Sequence, residues 1–217
     1  MDTDESFKNW IADEVERTFG VRRTKRSPLL DRWLAAEPEI SEFHRRSVEN
    51  LRQDAEDNID AWNEAALKFF FIGPIVSLVD FNEEDYHGFL EQTLYLETDK
   101  GAARGNVDFL VAAGRAVPVS PYYLLHEYKP ERTTVMDPQG QLLIAMLAAR
   151  LANEEAGLTQ PVYGSYVIGR WWFFVVLNGS EYTISRAFDC TLPDGVAAIF
   201  RALLEVKVYI SALFAEL

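Results

Sequence analysis

The stretch "LLHEYKPE", residues 124–131, places Glu127 and Lys129 two positions apart at the end of an apolar run. Read as the end of a strand "YYLLHEYK" (122–129), it sends Tyr123, Leu125, Glu127 and Lys129 to one face and Leu124, His126 and Tyr128 to the other. Glu127 and Lys129 are then neighbours on one face. Upstream, "GNVDFLVA" (105–112) holds Asp108 in a second apolar strand, on the face of Asn106 and Leu110. Burying a carboxylate is unfavourable by several kcal/mol unless it is paired or metal-bound. Two such acids on adjacent strands, with a lysine beside one of them, invite a shared cation.

Working outward, "FLEQTLYLET" (89–98) and "NVDFLVAAG" (106–114) read as strands joined by the loop "DKGAARG", and with 122–129 they predict a three-strand meander. "DPQGQLLIAMLAARLANEEAG" (137–157) predicts a helix, with Asp137 as N-cap, Pro138 in the first turn and Gly157 as stop. "VYGSYVIG", "WWFFVVL" and "EYTISRAF" return to strands, with Asn178-Gly179 as a hairpin signal. An amphipathic helix is expected from about Pro193 to Leu217. Before the meander, Phe7, Trp10, Ile11, Val15 and Phe19 recur at helical spacing and Gly20 closes that helix. A second helix is expected from about Asp54 through "NIDAWNEAALKFFF", buried on two faces and ended or kinked by Pro74. The reading is one α/β domain over 1–217: a helical extension (1–53), a core (54–190) and a C-terminal helix (191–217).

Composition narrows the function. The chain of 217 residues is 48% hydrophobic and 13% aromatic, enough for a sizeable core. A single cysteine, Cys190, excludes an internal disulfide and a thiolate zinc cage. The start "MDTDESFKNW" has no apolar signal core, and no apolar run approaches the ~20 residues of a membrane helix, so a cytoplasmic protein without a membrane span is expected. With 21 Lys and Arg against 34 Asp and Glu the net charge is −13, which repels a polyanion at long range. Any nucleic-acid role must therefore lean on a metal or on a local patch. The dense basic cluster is "VRRTKRSP" (21–28), with Arg22, Arg23, Lys25 and Arg26 in a stretch that reads as a loop between helices.

Magnesium or manganese suits the two acids, because hard divalent ions take one or two carboxylates plus substrate phosphate and water. Asp108 and Glu127 supply the carboxylates, the Tyr128 carbonyl lies between Glu127 and Lys129 as a further ligand, and Lys129 is placed to serve the attacking water or to neutralise charge on the phosphate. Asp108 in "GNVDF", Glu127-x-Lys129 in "HEYK" and a following helix opening "DPQGQLL" resemble the PD-(D/E)XK nuclease superfamily, over roughly residues 54–178. The resemblance implies a restriction-endonuclease-like core of helix, three strands, helix and further strand. It also implies metal on Asp108 and Glu127, water activation by Lys129, and an extra acid on the first core helix, matched by Glu64. RecB-like members carry a glutamine on the helix after Glu-x-Lys, matched by Gln141, which would position substrate or the metal-bound water. The proline that names the superfamily does not precede Asp108, and the tyrosine that follows the glutamine by four in RecB-like members is Ala145 here.

Each residue has a plainer alternative. Asp108 and Glu127 could form a structural ion pair with Lys129 or Arg104, Glu64 could pair with Lys68 four residues on, and Gln141 could be an ordinary helix-start residue. His126 reads as a packed core histidine, the Trp171–Phe174 run as core rather than a base-stacking platform, and Arg170 as either a phosphate clamp or a loop cap. The expectation is a magnesium- or manganese-dependent nuclease acting on DNA. The alternatives are a non-catalytic module of the same fold docking a basic protein partner or a second copy of itself, and an RNA or small-molecule phosphodiesterase.

Overall fold

A computed structural model describes residues 5–130 and 137–216. It is a mixed α/β architecture built on a nine-stranded mixed sheet. In chain order the elements are β1 (Glu5–Ser6), a 3₁₀ turn (Phe7–Asn9), α1 (Ala12–Phe19), β2 (Arg22–Arg23), α2 (Pro28–Ala35), α3 (Glu42–Asn58), α4 (Glu64–Leu67), a π-helical turn (Lys68–Ile72) and α5 (Gly73–Val79). They continue with β3 (Tyr86–Thr98), β4 (Gly101–Ala113), β5 (Val119–Lys129), α6 (Pro138–Glu155), β6 (Val162–Ile168), β7 (Trp171–Asn178), β8 (Glu181–Ile184), β9 (Phe188–Asp189) and α7 (Gly195–Glu216).

The meander expected from the apolar runs is present. β3, β4 and β5 pair antiparallel in succession, and β6 lies parallel to β5 on the far side of the α6 crossover. β7 and β8 extend the sheet antiparallel, and β9 pairs with β7. The β3–β4 connection is tighter than the seven-residue loop expected: Thr98 already pairs with Gly101. Asn178 pairs with Glu181, so the β7–β8 turn is carried by Gly179, at φ 55°, and Ser180.

Two apolar layers cover the sheet. Trp33, Val48, Phe71, Ile75, Leu203 and Val206 pack on one face against Phe109, Leu124, Trp172 and Phe174. On the other, Phe7, Val15, Leu142 and Met146 pack against Leu110, Leu125, Val175 and Leu177. The first fifty residues are therefore not only a helical extension, since they supply β1, β2 and buried side chains to both layers.

Three local expectations change. The Phe7–Phe19 periodicity is broken at Trp10-Ile11, because a 3₁₀ turn precedes α1 and Ile11 caps it half-exposed. The helix expected from Asp54 onward is two elements: α3 ends at Asn58, and α4 starts afresh behind Asn63, whose side chain accepts from the Ala66 N–H. Tyr123 packs with Leu124 rather than on Leu125's face, because the β4–β5 register shifts on either side of Ala112. Asp137 caps α6 as expected, accepting from Gln139 N–H, and Gly157 takes the left-handed conformation at φ 80°. Among the described residues no helix is long and apolar enough to cross a membrane.

Candidate functional site

The site forms where β4 and β5 part. Their ladder runs from Ala113↔Val119 to Phe109↔His126 and ends there. One step further in the same register stand Asp108 and Glu127. Lower on the same edge, β4 pairs with β1 at Ala103 and Arg104, so the edge between Arg104 and Phe109 pairs with neither strand. The Asp108 side chain reaches into this gap, and its Oδ2 accepts the Tyr128 N–H at 2.8 Å. A carboxylate thus takes the place of a strand carbonyl, which anchors it and leaves a backbone donor satisfied.

Glu127 is 1% exposed and Asp108 9%. Burial pushes the Glu127 carboxyl well above the ordinary carboxylate range, and the neighbouring Asp108 pushes it the same way, while Lys129 and Lys68 oppose. Glu127 Oε1 is buried with no hydrogen-bond partner. Lys129, 3% exposed, donates to the Tyr128 carbonyl at 3.1 Å and lies 3.9 Å from both Glu127 Oε2 and Glu64 Oε2. Asp108, Glu127, Tyr128, Lys129 and Glu64, inferred from widely separated stretches, therefore meet.

Lys68 is the residue that sequence reasoning did not place here. Its Nζ lies 2.7 Å from Asp108 Oδ1, 3.0 Å from Glu64 Oε1 and 3.1 Å from Glu91 Oε1. Burial disfavours its charge, yet the hydrogen bonds and charges of these acids, Asp108 foremost, outweigh that and raise its pKa. Glu64 makes the ion pair with Lys68 that its spacing suggests, and it also faces Lys129. Arg104 makes no ion pair with these acids among the described residues; Lys68 takes that role. A π-helical turn begins at Lys68. Pro74 lacks an N–H, so no α-type bond reaches the carbonyl four residues earlier, and the Gly73 N–H instead bonds the Lys68 carbonyl five residues back. Glu91 stands opposite Asp108 in β3 with φ 50°, a conformation uncommon for a non-glycine residue, and the β3–β4 ladder skips this pair.

Gln141 lies in the first turn of α6, which packs along β5. It is 1% exposed, and neither amide atom has a hydrogen-bond partner. No hydrogen bond brings it to the acids. Of the remaining candidates, His126 is fully buried and bonds Ser165, and burial pushes it down to about 3. Trp172 and Phe174 are core, while Trp171 is partly exposed. Arg170 pairs with Asp189 and bonds Thr191, contacts that support the loop. Half of the basic cluster is strand: Arg22 and Arg23 form β2, and Arg22 pairs with Glu181 on β8.

Among the described residues no group of three or more His, Cys, Asp or Glu side chains is arranged to hold a metal ion. The two-carboxylate centre remains open to one, since magnesium commonly takes one or two protein carboxylates. Glu127 Oε1 is an unused buried acceptor, and Lys68, a cation on a flexible stem, already rests on Asp108 Oδ1. Oxygen donors of this kind suit a hard divalent ion. No protein-family model matches the chain, and no curated protein matches it in sequence.

Proposed function

We propose that this protein is a metal-dependent nuclease of the PD-(D/E)XK type, hydrolysing phosphodiester bonds, with DNA as the first substrate. The observation that carries the reading is the pair of buried carboxylates at the β4–β5 gap with an unpartnered Glu127 oxygen and Lys129 beside it. The order of elements supports it: helix, three antiparallel strands, the α6 crossover and β6 parallel to β5 match the restriction-endonuclease-like core that the Glu-x-Lys resemblance implies.

In this reading Asp108 and Glu127 would hold Mg²⁺ or Mn²⁺, with the Tyr128 carbonyl and Glu64 as further candidate ligands. The ion supplies a lowered pKa for water and charge neutralisation at the phosphate. Asp108 is fixed by its bond to the Tyr128 N–H. Lys129, held on the Tyr128 carbonyl between Glu127 and Glu64, orients the attacking water and meets the charge that builds on the phosphate. Glu64 steadies both lysines. Gln141, with a free amide on the α6 side of β5, is assigned to positioning substrate or water. The test is cleavage of single- and double-stranded DNA and of RNA with Mg²⁺ or Mn²⁺, with Asp108→Ala as the inactive control.

The ion pairs of Lys68 favour a second reading: an assembly module of the same fold, in which Lys68 and Lys129 are permanent counter-ions and the acidic surface docks a basic partner. That form takes up no divalent ion and cleaves nothing in the same experiment.

A further inference from the structure

A cleft of about 560 Å³ opens directly from the acid cluster, between the Glu64–Val79 helical segment and β3. Its charged end is Lys68, Glu91 and Asp108. Phe69, Ile72, Val76, Phe81, Leu90 and Phe109 line its apolar part. Two of these residues are unusual for a folded surface, because Phe69 is 75% and Leu90 69% exposed. Tyr128 also lines the cleft, and its hydroxyl is buried with no hydrogen-bond partner.

We propose that this cleft is a subsite for one unstacked nucleobase next to the bond being cut, and that the substrate is single-stranded or locally unpaired nucleic acid. The assignment rests on the nuclease reading for the bond and deepens it by naming the form of the strand. Phe69, exposed at the mouth, is an aromatic group on which a flat ring can stack, and such stacking works with any base. Ser77 and Asn82, also on the lining, offer polar contacts to a base edge. A base inside a duplex keeps both faces stacked on its neighbours and cannot enter. The net charge of −13 points the same way, because a chain that repels the phosphate backbone must draw affinity from non-ionic contacts.

The experiment uses the full chain in EDTA, so that binding is read without cleavage. Short single-stranded DNA carrying one 2-aminopurine is titrated and its fluorescence followed, and labelled oligonucleotides with an abasic gap, a full duplex, and an RNA of the same sequence are followed by anisotropy. We expect quenching of 2-aminopurine, weaker binding of the abasic and duplex forms, and about tenfold weaker binding for Phe69→Ala, the scale of one base–aromatic stack. Phe69 is exposed, so this variant keeps the fold. The RNA arm separates DNA from RNA as the source of the base. Equal binding of intact, abasic and duplex DNA, no quenching, or no binding at all would overturn the subsite, even if the protein cleaves DNA. Base-dependent binding without cleavage under Mn²⁺ would instead retain the subsite and overturn the nuclease reading.

Discussion

Lys68 decides how the acid cluster is held when no divalent ion is bound. Its ammonium touches Asp108, Glu64 and Glu91, so it and a divalent cation compete for Asp108 Oδ1. Lys68→Met, which keeps the stem and removes the charge, should tighten Mn²⁺ binding by about tenfold, one close charge contact on the order of 1.4 kcal/mol. The same variant should lower the stability of the metal-free protein by about 1–3 kcal/mol, because anionic groups lose their counter-ion. Calorimetric titration and urea unfolding check the two halves. Asp108, Glu127 and Lys129 were legible in the sequence because alternation in an apolar strand leaves a charge nowhere neutral to go. Lys68 was legible only as the partner of Glu64 four residues on, because no spacing in the sequence places it beside Asp108 and Glu91. A second residue titrates against the fold. His126 is held neutral by burial among Phe109, Tyr128 and Trp172, with its folded pKa at about 3 against an ordinary 6.5. Because the folded pKa is depressed, the unfolded chain takes the proton first. The contribution of His126 is therefore full above pH 6.5 and falls by about 1.4 kcal/mol per unit as the pH drops toward 3. His126→Asn, with a neutral amide near Ser165, should flatten that limb between pH 6.5 and 5 by about 2 kcal/mol in urea unfolding.

At the scale of elements, α6 sets the distance between the sheet and the N-terminal segment. Asp137 caps α6 and also accepts the Ala12 N–H at 2.8 Å, tying the start of α1 to the start of α6. Gly140 permits the close approach: a Cβ there would stand 2.3 Å from the Trp10 carbonyl oxygen and 2.7 Å from Ile11 Cα, both backbone atoms. Gly140→Ala should force the two segments apart and lower stability by about 1–3 kcal/mol in urea unfolding, the scale of overpacking. It should leave metal affinity unchanged, since Gly140 touches none of the acids. Asp137, Pro138 and Gly157 made this helix readable in advance because capping chemistry is local. The break between α3 and α4 was not readable, because the apolar spacing runs through it and only the Asn63 cap marks the new start.

For the whole molecule, strand order places the basic cluster. β2 stands four strands from β5, through β6, β7 and β8, roughly 19 Å at ~4.8 Å per strand. Arg22, Arg23, Lys25 and Arg26 thus do not form a rim around Asp108, and Arg22 is already paired with Glu181. Neutralising all four should leave the affinity for a short single strand, and its slope against salt, unchanged in anisotropy titrations. A loss of about 0.9 log units per phosphate contact on duplex DNA would show that longer substrates reach this edge. That placement could not be read from sequence, because a two-residue strand pairing in parallel with β8 has no periodicity to detect.

The most direct test of the account is a Mn²⁺ titration by calorimetry paired with cleavage of single-stranded DNA for wild type, Asp108→Ala and Lys129→Met. The account predicts that wild type binds at low millimolar concentration or tighter and cleaves. Asp108→Ala should do neither, having lost a ligand that the remaining carboxylate cannot replace. Lys129→Met should keep or gain metal affinity and lose about 10²-fold or more in cleavage rate, the scale of one acid–base or electrostatic contributor. A wild-type chain that takes up no Mn²⁺ and leaves every strand intact, together with a Lys129→Met variant unfolded by several kcal/mol, would contradict it and leave the two lysines as structural counter-ions.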